Sequence, residues 1–124
     1  MRLVLNPKFF FINASSYKSG LTSSGKVDIQ IGAINIEHRD VLIIEDIVDS
    51  GRTLFALTKD LEKLNPNSIE IATFLSKPEE RVTDIQVKYV CKEISSRFVV
   101  GYGLDYAEKG RFLKDIYVLS DESI

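Results

Sequence analysis

The chain holds one cysteine and one histidine in 124 residues. A lone thiol, Cys91, cannot close an internal disulfide, and His38 has no Cys or His neighbour at metal-ligand spacing, so neither a disulfide scaffold nor a structural zinc site has a basis. Long hydrophobic runs are missing too: stretches such as 9–12 and 41–44 last about four residues, whereas a bilayer span needs ~20. Charge of one sign is not in excess, since 16 basic against 18 acidic residues leave a net charge of −2. That balance removes any bulk attraction to nucleic acid or an anionic membrane, and confines an anion site to a local arrangement. Residues 1–6 carry one arginine before Pro7, too little for the charged and apolar regions of a signal peptide, so the cytoplasm is the expected compartment. What is present is the profile of one soluble domain over residues 1–124, with 44% hydrophobic residues, 27% charged residues and a mean hydropathy near zero.

Periodicity gives a coarse architecture. Lys8 to Ala14 is rich in β-formers and reads as a buried strand. Ser15 to Gly25, with five serines and two glycines, reads as a mobile loop. Lys26 to Ile31 alternates apolar and polar residues, so it reads as a strand with one wet face that forms an antiparallel flap with the first. Val41 to Ile44 is a continuous apolar run, the pattern of a central parallel strand buried on both faces. Leu54, Leu57, Leu61 and Leu64 then mark one helix stripe closed by Pro66. Ser68 to Leu75 is another strand, making a β-turn-α-β unit with a right-handed crossover. Short strands are expected at Val87–Val90, Phe98–Gly101 and Ile116–Leu119. The fold class is α/β: a mostly parallel, Rossmann-like sheet with flanking helices and an antiparallel flap.

The chemistry concentrates in Glu45-Asp46-Ile47-Val48-Asp49-Ser50-Gly51-Arg52-Thr53, between the apolar strand and the leucine-striped helix. A turn that opens a helix at the carboxyl end of a parallel strand offers unpaired N–H groups and the positive end of the helix dipole to a phosphate. Gly51 permits close backbone approach, and the Ser50 and Thr53 hydroxyls can add hydrogen bonds. Glu45 and Asp46 are acceptors beside that cradle, suited to a ligand bearing hydroxyls as well as phosphate, such as a ribose 5-phosphate. Taken singly, Asp49 or Ser50 reads as a helix N-cap and the two acids as solvated strand-end charges; the combination points to a site. Neither a Walker A spacing nor a Gly-x-Gly-x-x-Gly turn is present.

The stretch from Val41 to Thr53 resembles the phosphoribosyl-pyrophosphate (PRPP) fingerprint of type I phosphoribosyltransferases. Glu-Asp followed by Asp-Ser-Gly-x-Thr is similar to the 6-oxopurine branch, the hypoxanthine-guanine enzymes. Ala14-Ser15-Ser16-Tyr17 resembles that branch's flexible active-site loop, Ser76-Lys77-Pro78 its purine-contacting lysine segment, and Phe98 to Tyr106 its hood signature.

The resemblance implies transfer of ribose 5-phosphate from PRPP to N9 of hypoxanthine or guanine, yielding IMP or GMP and pyrophosphate in purine salvage, with Mg2+ required. It implies that Glu45 and Asp46 bind the ribose hydroxyls, that Asp49 is the general acid/base at purine N7, and that Ser50, Gly51, Arg52 and Thr53 hold the 5-phosphate. Lys77 would donate to the purine 6-oxo oxygen, Phe98 would stack on the ring and the Val99 backbone would meet its edge. Asp105 would ligate magnesium, Arg111 would pair with pyrophosphate, and Ser16 and Tyr17 would close over the substrates. The expected partners are therefore PRPP and a 6-oxopurine base, with no nucleic acid and no membrane, in a homo-oligomer, dimer or tetramer.

Two departures accompany the likeness. The chain reads as N-terminally shortened, without the family's initial helix, strand and helix or its pyrophosphate loop, so one sheet face is expected to lack cover. Gly110 stands before Arg111 where an aromatic residue is expected. A noncatalytic PRPP- or nucleotide-binding regulator, or an inactive remnant of the same fold, stays open as an alternative.

Overall fold

The computed structural model describes residues 7–16, 27–30 and 34–120. Its organising element is β3 (Asp40–Val48), which pairs in parallel with β4 (Ser68–Ser76), and β4 in turn pairs in parallel with β5 (Tyr89–Glu93). Between β3 and β4 runs α1 (Arg52–Glu62), the one α-helix among the described residues. Its leucines do what their spacing demands: Leu57 and Leu61 cluster with Ile36 over Val41, Ile43 and Ile69, while Leu54 packs with Val48 and Ile71. Leu64 packs at the margin of the first cluster. The parallel β-turn-α-β unit thus stands as expected, with Val41, Ile43 and Val48 of β3 packed in the clusters under the helix.

The sequence also predicted burial of 41–44 on both faces, and here the structure differs. Leu42 is 52% and Ile44 71% exposed. The helix covers one face only, and strand alternation turns every second side chain of β3 to the other. Phe74 on β4 and Tyr89 on β5 are also exposed. The register sets Ile44 beside Ala72 and Ala72 beside Tyr89, so these residues share the uncovered face. The strand is longer than the apolar run as well, continuing through Glu45 and Asp46 to Val48.

The first strand is displaced relative to the sequence reading. Among the described residues, β1 spans Asn13–Ser16 and pairs antiparallel with β2 (Val27–Gln30), and 7–12 pair with no described strand; Phe9 and Phe11 are exposed, and residues 31–33 lie outside the described residues. The flap exists, but Ser15 and Ser16 belong to it rather than to a loop, and Tyr17 to Lys26 lie outside the described residues. A second antiparallel pair, β6 (Val99–Val100) with β7 (Tyr117–Val118), frames the segment 101–116. Among the described residues, no helix is long and apolar enough to cross a membrane.

Candidate active site at the carboxyl ends of the parallel strands

The turn after β3 is built by local hydrogen bonds. Asp49 Oδ1 accepts from the Ser50 N–H at 2.6 Å, and Ser50 Oγ accepts from the Arg52 N–H at 3.4 Å. Gly51 sits at φ +78°, in the left-handed region, and its carbonyl accepts the first α1 hydrogen bond, from Phe55 N–H at 2.9 Å. A Cβ there would come within 2.6 Å of Thr83 Oγ1 and 2.8 Å of Ile85 Cγ2, so glycine is required by space as well as by φ. No side chain caps the start of α1. With the Arg52 N–H turned to Ser50 Oγ, the N–H groups of Thr53 and Leu54 remain in the first turn for an anion, which the helix dipole favours.

A cleft of about 310 Å³ opens over this turn, walled by Glu45, Asp49, Ser50, Gly51 and Thr53 together with Asn13 of the flap. Five of the residues assigned to PRPP and catalysis are therefore brought together. Asp46 and Arg52 do not line the cleft. Adjacent strand residues point to opposite faces, so Glu45 lies on the helix side and Asp46 on the other. The Asp46 carboxylate accepts the Ile47 N–H at 2.7 Å. Burial pushes the Glu45 carboxyl above the usual carboxylate range, and the neighbouring Asp46 charge adds to the rise.

The purine-side residues meet at the end of β4. Lys77 is only 7% exposed, and its N–H donates to the Val48 carbonyl at 2.8 Å, sewing the exit of β4 to the exit of β3. Its Nζ lies 5.7 Å from the centroid of the Phe98 ring, a cation–π distance. Phe98 is half exposed and packs edge-on against Tyr106, with centroids 5.3 Å apart. Val99 is buried as the first residue of β6. A cation and an open aromatic face thus stand together beside the turn that opens α1.

Asp105 and Arg111 engage each other: Arg111 Nη2 lies 3.0 Å from Asp105 Oδ1, and its Nη1 donates to the Gly103 carbonyl at 3.1 Å. Asp105 Oδ2 accepts from the Glu108 N–H at 2.7 Å. Among the described residues no three potential ligands cluster as a metal cage. A lone carboxylate still fits Mg2+, which commonly takes one or two carboxylates and completes its shell with water and substrate phosphate. Of the two residues expected to close over the substrates, Ser16 ends β1 opposite Val27, and Tyr17 lies outside the described residues.

Sequence reasoning missed residues 81–85, which brace the turn from behind. Arg81 Nε donates to the Asp49 carbonyl at 3.1 Å, and Val82 N–H donates to the Ser50 carbonyl at 3.1 Å. No local pattern announces bonds to a backbone so distant in the chain.

An open helix start, two strand-end acids and a lysine–aromatic pair thus gather at the carboxyl ends of a parallel α/β sheet. The phosphoribosyl transferase domain model matches residues 2–107, and the chain belongs to that family. It is 49% identical over 113 residues to hypoxanthine-guanine phosphoribosyltransferase of Streptococcus mutans serotype c, covering 90% of this chain and 63% of that protein. With the enzyme of the same name from Staphylococcus epidermidis it shares 51% identity over 114 residues, with the same coverage. The crystal structure of a hypoxanthine phosphoribosyltransferase from Staphylococcus aureus superposes with a TM-score of 0.80 at 49% identity, covering 90% of this chain and 61% of that one. The chain spans about 63% of the length of the curated relatives it matches.

Proposed function

We propose that this chain, as a single domain over residues 1–124, transfers ribose 5-phosphate from PRPP to N9 of hypoxanthine or guanine, forming IMP or GMP and pyrophosphate in purine salvage. The observation that carries this reading is the juxtaposition of Lys77 and Phe98 beside the open turn 49–53, tied by the bond from Lys77 to Val48. The N9–C1′ bond forms as the bond from C1′ to pyrophosphate breaks, through an oxocarbenium-like transition state, and the proton on N7 passes to the Asp49 carboxylate. Ser50, Gly51, Arg52 and Thr53 hold the 5-phosphate, while Glu45 and Asp46 accept from the ribose hydroxyls.

Lys77 donates to the 6-oxo oxygen, which disfavours adenine because adenine presents a donor at that position. Phe98 stacks on the ring and the Val99 backbone meets its edge. Asp105 would hold Mg2+, which would neutralise pyrophosphate charge, and Arg111 would pair with the pyrophosphate. Both must first let go of each other. Ser16 and Tyr17 exclude water from the activated sugar. The protein works in the cytoplasm as a homo-oligomer, dimer or tetramer; the exposed Leu42, Ile44 and Phe74 support association.

The test is nucleotide formation by the purified chain given PRPP, Mg2+ and either hypoxanthine or guanine, with Asp49→Asn as control. Product from the parent and much slower transfer by Asp49→Asn, with PRPP affinity kept, is the expected result. A parent that makes no nucleotide while PRPP still raises its Tm is a binding protein instead.

A further inference from the structure

Arg81 is half-buried just beyond the 3-10 turn Pro78–Glu80, and its guanidinium goes to two neutral acceptors. Nε donates to the Asp49 carbonyl at 3.1 Å, and Nη2 donates to Ser76 Oγ at 3.0 Å. One acceptor belongs to the residue assigned the proton transfer, and the other immediately precedes the residue assigned to the base. The residues that follow reinforce the same contact: Val82 N–H and Thr83 Oγ1 reach the Ser50 carbonyl at 3.1 and 3.4 Å. The Arg81 Cδ also stands 3.0 Å from where a Gly51 Cβ would be.

We propose that Arg81 is a positioning residue whose forked guanidinium joins the Asp49 backbone to Ser76, so that the acid/base turn and the base-binding segment are held at one fixed separation. This rests on the function proposed above. Transfer requires Asp49 to meet N7 of a ring held by Lys77 and Phe98, so an error in the spacing of the two segments falls on the proton transfer. Misplacement on the order of 1 Å can cost about 100-fold in rate. A planar fork holds two acceptors at a set spacing, which a single ammonium cannot do. Arg81 touches no reacting atom; its effect is on kcat rather than on either KM.

The experiment uses the full chain with Arg81→Met, Arg81→Lys, Ser76→Ala and the double variant Ser76→Ala/Arg81→Met. Steady-state kinetics are paired with amide hydrogen exchange at 49–53 and 82, and with the 57–61 amides of α1 as a reference for global stability. In Arg81→Met we expect kcat to fall roughly 10- to 100-fold, both KM values to move less than about threefold, and the turn amides to exchange faster while the helix amides do not. Arg81→Lys should recover little. Adding Ser76→Ala to Arg81→Met should cost almost nothing more, as for residues acting as one unit. Unchanged kcat and unchanged turn exchange in a folded variant overturn the proposal, as do losses from Ser76→Ala and Arg81→Met that simply multiply. Should Arg81→Met fail to fold, Arg81→Lys decides: a folded Arg81→Lys with parental kcat and exchange overturns it. A parent that forms no nucleotide defeats the proposed activity separately. The bridge is then decided by turn exchange in the Arg81 variants, where faster exchange than the parent supports it and parental exchange overturns it.

Discussion

The Lys77 N–H donates to the Val48 carbonyl at 2.8 Å, so the residue that leaves β4 is bonded to the residue that ends β3. That bond brings a nearly buried cation to the edge of the turn that opens α1, with its Nζ over the Phe98 ring.

Replacing Lys77 by Met keeps the stem and removes the charge. A charge-assisted hydrogen bond contributes about 1.5–3 kcal/mol, so kcat/KM for hypoxanthine should drop on the order of 10- to 100-fold. The Tm increase given by PRPP should persist. Initial rates at varied hypoxanthine, with a melting curve in PRPP, measure both.

Gly51→Ala forces a side chain into left-handed φ and against Thr83 and Ile85. Left-handed backbone alone costs about 1–2 kcal/mol, and the collision adds to it. We expect a lower Tm and loss of the stabilisation that PRPP or inorganic phosphate gives. An unchanged Tm in thermal denaturation would mean that the turn tolerates a side chain after all.

Burial, with Asp46 adjacent, raises the Glu45 carboxyl above its usual value of 4.5. The folded state therefore favours the protonated acid: its contribution to stability is full below about pH 4.5 and is lost as pH rises through the raised value. Glu45→Gln should consequently raise Tm near pH 7.5, by only a degree or so given solvent screening of a half-exposed group. The advantage should vanish in acid, and the PRPP-induced Tm shift should shrink. Melting curves across pH 4–8 follow both effects.

Asp40 behaves in the opposite sense. Hydrogen bonds from Ser68 Oγ at 2.7 Å and Asn67 Nδ2 at 2.6 Å hold its carboxyl below the ordinary 3.8. Their stabilisation is present above about pH 3.8 and is lost as pH falls through the lowered value. Asp40→Ala should melt below the parent at neutral pH, and the gap should close as the pH falls well below 3.8. A gap that persists unchanged into acid would mean that the carboxylate is not the source.

Local pattern made much of this molecule legible. Gly51 before the Leu54–Leu57–Leu61 stripe announced a turn feeding a helix, and the apolar runs on either side announced the parallel pair. Position relative to partners did not show in the sequence. Leu42 and Ile44 read as buried on both faces, yet the helix covers only one, because cover depends on a neighbour rather than on local composition. Arg81 reached the site unannounced because one of its acceptors is a backbone carbonyl, which every residue has, and the other a serine hydroxyl. The Asp105–Arg111 pair was foreseen as two residues with two ligands, while the structure has them bonded to each other. Opposite charges near in sequence are too common to single out a contact.

Glu45 and Asp46 stand back to back across β3, with Ile43 and Ile47 on the side of the first and Ile44 on the side of the second. A one-residue slip of this strand against β4 would exchange the two sides. Asp46 would then be driven under the helix, and Glu45 would leave the cleft wall. Misfolding and the loss of the acidic cleft wall are thus one event at this strand, and a chain with its acids in the right place has already proofread its own core.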